Sequence, residues 1–448
     1  DMDISKSFNI KNKNLNKWWP SKKKNNHGTM CASVAISSGF KLYGTAPGLS
    51  FCSIKTDYTT RSYIDALKYN VNNIDIYSCS FTNPSNYILG YENDTKSIQE
   101  GAYLGRNGIG CIYIFCSGND SVIKDLASFD YLMNIPETLV IGSTNKKNKR
   151  CYYSETGACL LCVAPGGETN KKNSNGIKVF NNQYKIKFTQ GTSFSCPQVS
   201  GICGVILSIN PNLSWVDAKD IISRSCDKND PKAGKSNNID DTKWFVNKAG
   251  RNYNLQYGFG LINYNNVISN TLAHNILPEK KGFMVELNKK FALNKPKTFS
   301  FKIENSNITT PFLLPSSLNL GTNEEIKSID LSKFVIQEVT LIFQNLTDNK
   351  YEDLHELNIS LSVNNRYDYD YINQPVLIGR TPPKKNSKNL AFKDGLYLPI
   401  SIEFLKGEQL RIDNKISEWK FELSDSNNNI ENLVGNFIGV QFNGYEHY

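Results

Sequence analysis

Gly191-Thr192-Ser193-Phe194-Ser195-Cys196-Pro197-Gln198-Val199-Ser200-Gly201 opens a run in which Cys196, Val199, Cys203, Ile206 and Leu207 recur at helical spacing. Ser193 falls at the start of that helix. There a hydroxyl faces unpaired backbone N–H groups and the positive end of the helix dipole. The position suits an N-cap serine. It also suits a nucleophile whose reaction develops an oxyanion. Around this helix, Ile112 to Cys116 and Thr138 to Gly142 read as buried strands. Ser214 to Asp217 has the pattern of a capping box and predicts a further helix from Trp215 to about Ser225. Strands alternating with helices predict a mostly parallel sheet covered on both faces.

Two more polar segments sit where such a sheet would present them. His27-Gly28-Thr29-Met30-Cys31-Ala32 places an imidazole at a helix N-terminus. A solvated histidine before a helix is the plainer reading of those residues alone. Ser117-Gly118-Asn119 follows directly on the strand ending at Cys116. An amide at the C-terminal edge of a parallel strand can meet a ligand, and a turn asparagine is the plainer alternative.

The pattern changes near residue 275. Val335 to Phe343, Glu356 to Val363, Tyr397 to Phe404, Trp419 to Leu423 and Phe437 to Phe442 all resemble strands. They predict an all-β sandwich or barrel. The expected division is 1–276 for the α/β part, 277–284 for a polar linker with Pro278 and Gly282, and 285–448 for the all-β part.

Composition narrows the function classes. The chain has 448 residues, 39% of them hydrophobic, which excludes a wholly disordered polymer. The net charge of +9 is spread over scattered lysines, with Lys22-Lys23-Lys24 the tightest run, so no nucleic-acid partner is expected. No apolar stretch approaches the roughly 18–20 residues of a membrane helix. The chain begins at Asp1 without a visible signal peptide and reads as a processed or truncated segment; a membrane anchor outside it is compatible with the sequence. All 11 cysteines lie between Cys31 and Cys226. Cys159-Leu160-Leu161-Cys162 lacks a second ligand pair, so buried or bridged cysteines are expected rather than zinc. Sequons at Asn93, Asn212, Asn307, Asn345 and Asn358 would permit glycosylation in a secreted chain.

Taken together, His27, Asn119 and Ser193, in this order and with these flanks, resemble the subtilisin superfamily, whose serine chemistry uses a histidine base, a serine nucleophile and an oxyanion asparagine. The kexin/furin branch is more similar still. Ile74-Asp75-Ile76-Tyr77-Ser78-Cys79-Ser80 looks like its strand before the substrate groove, and Tyr257-Gly258-Phe259-Gly260-Leu261-Ile262 like the close of its catalytic domain. The region from Leu341 onward resembles its P domain, a jelly-roll sandwich; matching blocks are His355 to Leu361, Trp419 to Asp425 and Gly435 to Gly444.

The resemblance implies an α/β subtilisin-like three-layer domain followed by the P domain. It implies His27 as general base, Ser193 as nucleophile and Asn119 as oxyanion donor, with Ser117 and Gly118 along the substrate groove. It implies Asp130, eleven residues after Asn119, in the pocket for a basic residue, and Asp125 and Glu155 as Ca²⁺ ligands. Hard cations prefer such oxygen donors. The family's third calcium carboxylate would fall near Ser85. Lys24 stands where the branch has an acidic contact for a second basic side chain, and Asp65 is the nearest candidate for another. Ser37 to Gly44 is shorter than the branch's first calcium loop. The triad's aspartate is expected upstream of residue 1, because Asp1 and Asp3 lack a preceding apolar strand and a following glycine.

The implied protein is a monomeric, calcium-dependent serine endopeptidase. It would process proproteins after Lys or Arg in the secretory pathway, in the Golgi, membrane-anchored or secreted. Two alternatives stand beside it. One is a non-catalytic scaffold that keeps the fold for binding; the other is a basic surface-binding protein indifferent to Ser193→Ala.

Overall fold

A computed structural model describes residues 7–10, 26–39, 41–57, 59–82, 92–123, 125–130, 132–169, 174–183, 185–233, 243–247, 249–278, 281–293, 297–303, 308–309, 333–347, 357–364, 374–377, 396–403, 406, 418–425 and 433–446. Asp1, Asp3, Lys24, Ser85 and the block beginning at His355 lie outside the described residues, apart from 357–361 of that block.

The central sheet of the first part has six strands among the described residues. They are β1 (Ile76–Cys79), β2 (Ile112–Cys116), β3 (Thr138–Thr144), β4 (Leu160–Pro165), β5 (Cys226–Asp227) and β6 (Leu261–Ile262). Their order across the sheet is β5-β6-β4-β3-β2-β1. Every pairing from β1 to β6 through β4 is parallel, and only β5 runs antiparallel, on β6. All five residues of β2 and all seven of β3 are buried. Burial of both strands from end to end is what a parallel sheet with both faces covered requires.

The helices are α1 (His27–Ile36), α2 (Thr60–Leu67), α3 (Glu92–Leu104), α4 (Thr192–Ile209), α5 (Trp215–Arg224) and α6 (Tyr264–Leu272). α4 is the central one. Its Cys196, Val199, Cys203 and Ile206 are fully buried, as their spacing predicts. By length and composition α4 would pass for a membrane helix, but 72% of it is buried inside the protein, which makes it a core helix. Ser214 forms the capping box of α5: its hydroxyl accepts from Asp217 N–H while the Asp217 carboxylate accepts from Ser214 N–H. The 11 cysteines form no disulfide among the described residues, and Cys159 and Cys162 are buried in the core.

The second part consists of strands alone among the described residues. They are β7 (Lys281–Leu293), β8 (Lys297–Lys302), β9 (Ile308–Thr309), β10 (Phe334–Thr347), β11 (Leu357–Asn364), β12 (Gln374–Leu377), β13 (Leu396–Ile402), β14 (Glu418–Asp425) and β15 (Leu433–Glu446). One sheet has the order β9-β7-β15-β10-β13 and the other β8-β14-β11-β12, with every pairing antiparallel. Phe299 of β8 meets Phe437 of β15 at 5.3 Å between ring centroids, and Trp419 of β14 meets Phe442 of β15 edge-on at 5.0 Å. Aromatic side chains from both sheets thus fill one interior, as in a sandwich. β7 begins at Lys281, inside the stretch 277–284, because Lys281 already pairs with Gly444.

Charged groups join the two parts. Lys219 of α5 and Glu403, just after β13, form an ion pair with side chains 0% and 2% exposed. Lys219 Nζ also donates to Pro136 O at 2.7 Å. The Lys406 ammonium lies 3.4 Å from Glu403 Oε2 and donates to Gln337 O at 2.7 Å. Glu403 N–H donates to Ala158 O and Asn247 Nδ2 to Lys406 O, each at 3.0 Å.

Candidate active site

The site forms where α1 and α4 begin, at the C-terminal ends of β1 and β2. α4 starts after Gly191, whose φ of +139° lies in the region that favours glycine. Ser193 is therefore the second residue of the helix, and its own N–H is among those without a helical acceptor. Ser193 is 8% exposed, and its Oγ donates to Ser80 O at 3.4 Å.

His27 is the first residue of α1. It keeps an exposed edge, while Phe194 packs edge-on against its ring at 5.9 Å and Cys31 Sγ lies 3.8 Å from Nε2. This crowding lowers the imidazole pKa through desolvation of the charged form. Among the described residues no carboxylate pairs with His27.

Asn119 is fixed from the first turn of α4. Its Oδ1 accepts from Thr192 N–H at 2.9 Å and from Thr192 Oγ1 at 3.1 Å. Thr192 Oγ1 also lies 3.1 Å from Gly118 O. Oδ1 is thus held at the first turn of α4, one residue before Ser193. A pair of preset donors at a helix N-terminus can stabilise a developing oxyanion.

Gly118 explains itself sterically. Its φ is +103°, and a Cβ there would stand 2.1 Å from Glu155 Oε1. The Ser117-Gly118-Asn119 segment thus lies directly on the Glu155 carboxylate. Ser117 is fully buried, with its N–H bonded to Ile141 O at 2.9 Å, so it extends β2 toward the site.

Carboxylates gather behind that segment. Asp120, Asp125 and Glu155 bring ligand oxygens within 4.8 Å of one another, with Asp125 and Glu155 buried. Glu155 Oε1 accepts from Asp120 N–H at 2.9 Å, and Asp125 Oδ1 from Leu126 N–H at 2.9 Å. Burial, and then the charge of Asp125, push the Glu155 carboxyl well above the ordinary carboxylate range. Three oxygen donors of one sign, two of them desolvated, are a donor set for a hard cation. Ca²⁺ fits these residues.

The fold thus brings together His27, Ser193, Asn119, Ser117 and Gly118, and behind them Asp125 and Glu155. Asp130 is half-buried, accepts from Leu132 N–H at 3.0 Å, and is near enough for its charge to raise the Glu155 pKa further. Asp65 stands on α2 and pairs with Lys68 at 3.1 Å. Sequence reasoning missed Asp120. Its signal was present, since a carboxylate directly after Asn119 must sit at the same strand end.

The family model for the peptidase S8 group, the subtilase family, matches residues 1–260. The chain is a member of the subtilase family. Curated relatives of this subtilase include a calcium-dependent protease of Trichormus variabilis, 29% identical over 281 residues, covering 54% of this chain and 39% of the relative. Proprotein convertase subtilisin/kexin type 7 of Homo sapiens is 27% identical, covering 53% of the chain and 31% of the relative. Protease KEX1 of Kluyveromyces lactis is 28% identical, covering 56% and 32%. The subtilase therefore spans well under half the length of these relatives. Among solved structures, the serine protease of Aeromonas sobria in complex with its chaperone aligns with a TM-score of 0.69 at 16% identity, covering 99% of this chain and 84% of that one. That likeness is one of fold, and it extends through the antiparallel second part.

Proposed function

We propose that this subtilase is a calcium-dependent serine endopeptidase that cleaves proproteins after basic residues in the secretory pathway. The observation that carries the proposal is the anchoring of Asn119 Oδ1 by Thr192 at the first turn of α4, beside Ser193. His27 takes the Ser193 hydroxyl proton as Oγ attacks the scissile carbonyl. Asn119 Nδ2 and the Ser193 N–H receive the oxyanion. The proton passes to the leaving amine, and water, activated by the same imidazole, releases the acyl group. Asp130 faces the basic side chain. Asp120, Asp125 and Glu155 would hold Ca²⁺, which would supply positive charge to the cluster behind the segment 117–119. The antiparallel second part is a P domain, and its burial of Glu403 against Lys219 supports a stabilising role. The names of the calcium-dependent protease, convertase and KEX1 relatives support the substrate class and the cation.

The test is cleavage of fluorogenic peptides ending in Arg, Lys-Arg or Ala, by protein extended upstream, with and without chelator. Calcium-dependent cleavage after Arg, lost in Ser193→Ala and shifted away from basic residues in Asp130→Asn, is expected. A folded, calcium-loaded, extended protein that cleaves none of them would instead be a binding scaffold.

A further inference from the structure

Helix α4 interrupts its own hydrogen-bond ladder at the residue that carries the chemistry. In an α-helix the N–H of residue i bonds to the carbonyl of residue i−4. The Ser193 carbonyl should therefore be met by residue 197. That residue is Pro197, inside the helix, with no N–H and a ring that crowds the same oxygen.

Side chains from two other elements donate to it instead. Ser80 Oγ donates to Ser193 O at 2.9 Å and Cys31 Sγ at 3.3 Å. Ser80 follows directly on β1. Cys31 lies on α1, one turn beyond His27, with its sulfur 3.8 and 3.9 Å from the two ring nitrogens. Ser193 Oγ returns a contact to Ser80 O at 3.4 Å. One backbone oxygen thus joins the helix of the base, the edge of the sheet and the helix of the nucleophile.

We propose that Cys31 and Ser80 are positioning residues that hold Ser193 in register with His27 through the carbonyl that Pro197 leaves without its helical donor. The proposal rests on Ser193 being the nucleophile. Cys31 acts as a neutral donor rather than a thiolate, since burial pushes its thiol up to about 12. With one donor removed, the other still satisfies the oxygen. With both removed, a buried acceptor is orphaned, and the loss exceeds the product of the single effects.

The experiment compares Cys31→Ala, Cys31→Ser, Ser80→Ala, the Cys31→Ala/Ser80→Ala double variant, and that double variant carrying Pro197→Ala. It uses the upstream-extended, calcium-loaded protein. The readouts are kcat and KM on one Arg peptide, covalent labelling of Ser193 by a fluorophosphonate, and thermal melting. Each single alanine variant lowers kcat about tenfold at unchanged KM, and the double variant lowers it more than about a hundredfold. Cys31→Ser restores kcat, and Pro197→Ala recovers part of the double variant's loss by returning an N–H to the ladder. Wild-type kcat in the folded double variant overturns the proposal. If the double variant does not fold, wild-type kcat in both single alanine variants overturns it equally. A wild-type protein that is neither labelled at Ser193 nor active overturns the nucleophile assignment itself, a distinct result from a labelled, active protein indifferent to Cys31 and Ser80.

Discussion

Two sets of charges, one at the join between the two parts and one behind the candidate active site, solve the same problem differently. At the join, Glu403 lies between Lys219 and Lys406, all within 2% exposure, so opposite charges come from the chain itself. Behind the site, Asp120, Asp125 and Glu155 gather three carboxylates, two of them buried. A buried charge without a partner is costly. The join thus carries both signs of charge within the folded chain, while the proposed function gives the carboxylate cluster a cation from solution.

The largest effect should come from breaking the complete set. Glu403→Gln leaves two ammonium groups buried against Pro136 O and Gln337 O. It is expected to cost about 3–5 kcal/mol, read from urea unfolding, with no change in calcium affinity. A loss below about 1 kcal/mol would show that water reaches the join.

Calcium should act on the other set alone. At a hundredfold excess over Kd it is expected to stabilise the protein by about 2.7 kcal/mol. Glu155→Gln should abolish most of that increment in calorimetry while leaving the chelated protein as stable as before or more so. Asp120→Asn tests the ligand that sequence reasoning missed: an undiminished calcium increment would remove it from the donor set.

A smaller effect is expected at Gly118, where the site and its charges touch. Gly118→Ala sets a methyl against Glu155 Oε1 at a φ of +103°. The cost is about 1–3 kcal/mol, and kcat should fall because Asn119 is the next residue. Equal activity and stability would mean that the carboxylate moves aside freely.

The smallest effect concerns acid stability near the join. Burial opposes ionisation of Asp217, but hydrogen bonds from His274, the Leu277 N–H and Ser214 outweigh it and lower the pKa below 3.8. A depressed carboxyl contributes stability that is present above its unfolded pKa and lost as pH falls through the folded one. Asp217→Asn should therefore cost about 1 kcal/mol at pH 7, and its stability curve should meet the wild-type curve well below pH 4.

Local signals were legible in the chain. The capping box at Ser214 and Asp217 marked the start of α5 to the residue, because both partners lie within one turn. His27 and Ser193 were placed at helix starts by the apolar pattern that follows each of them. β2 ran from Ile112 to Cys116 as read, since five buried apolar residues in a row leave no other face. The strand ends of the second part were less legible: β10 extends to Thr347 and β15 begins at Leu433, beyond the apolar cores of those runs. There backbone pairing with a neighbour sets the length, and side-chain pattern does not report it.

The sequence by itself determined the family, the mostly parallel sheet, the antiparallel strands after it and the order of His27, Asn119 and Ser193. Those features rest on short-range periodicity and on residues whose chemistry is tied to a strand end or a helix start. Tertiary structure alone decided that Asp120 joins Asp125 and Glu155, that Glu403 finds Lys219 across 184 residues, and that Ser80 and Cys31 meet the carbonyl left by Pro197. Each of those contacts depends on side chains far apart in the chain reaching one buried point, where desolvation makes the partner matter and where no local pattern records it.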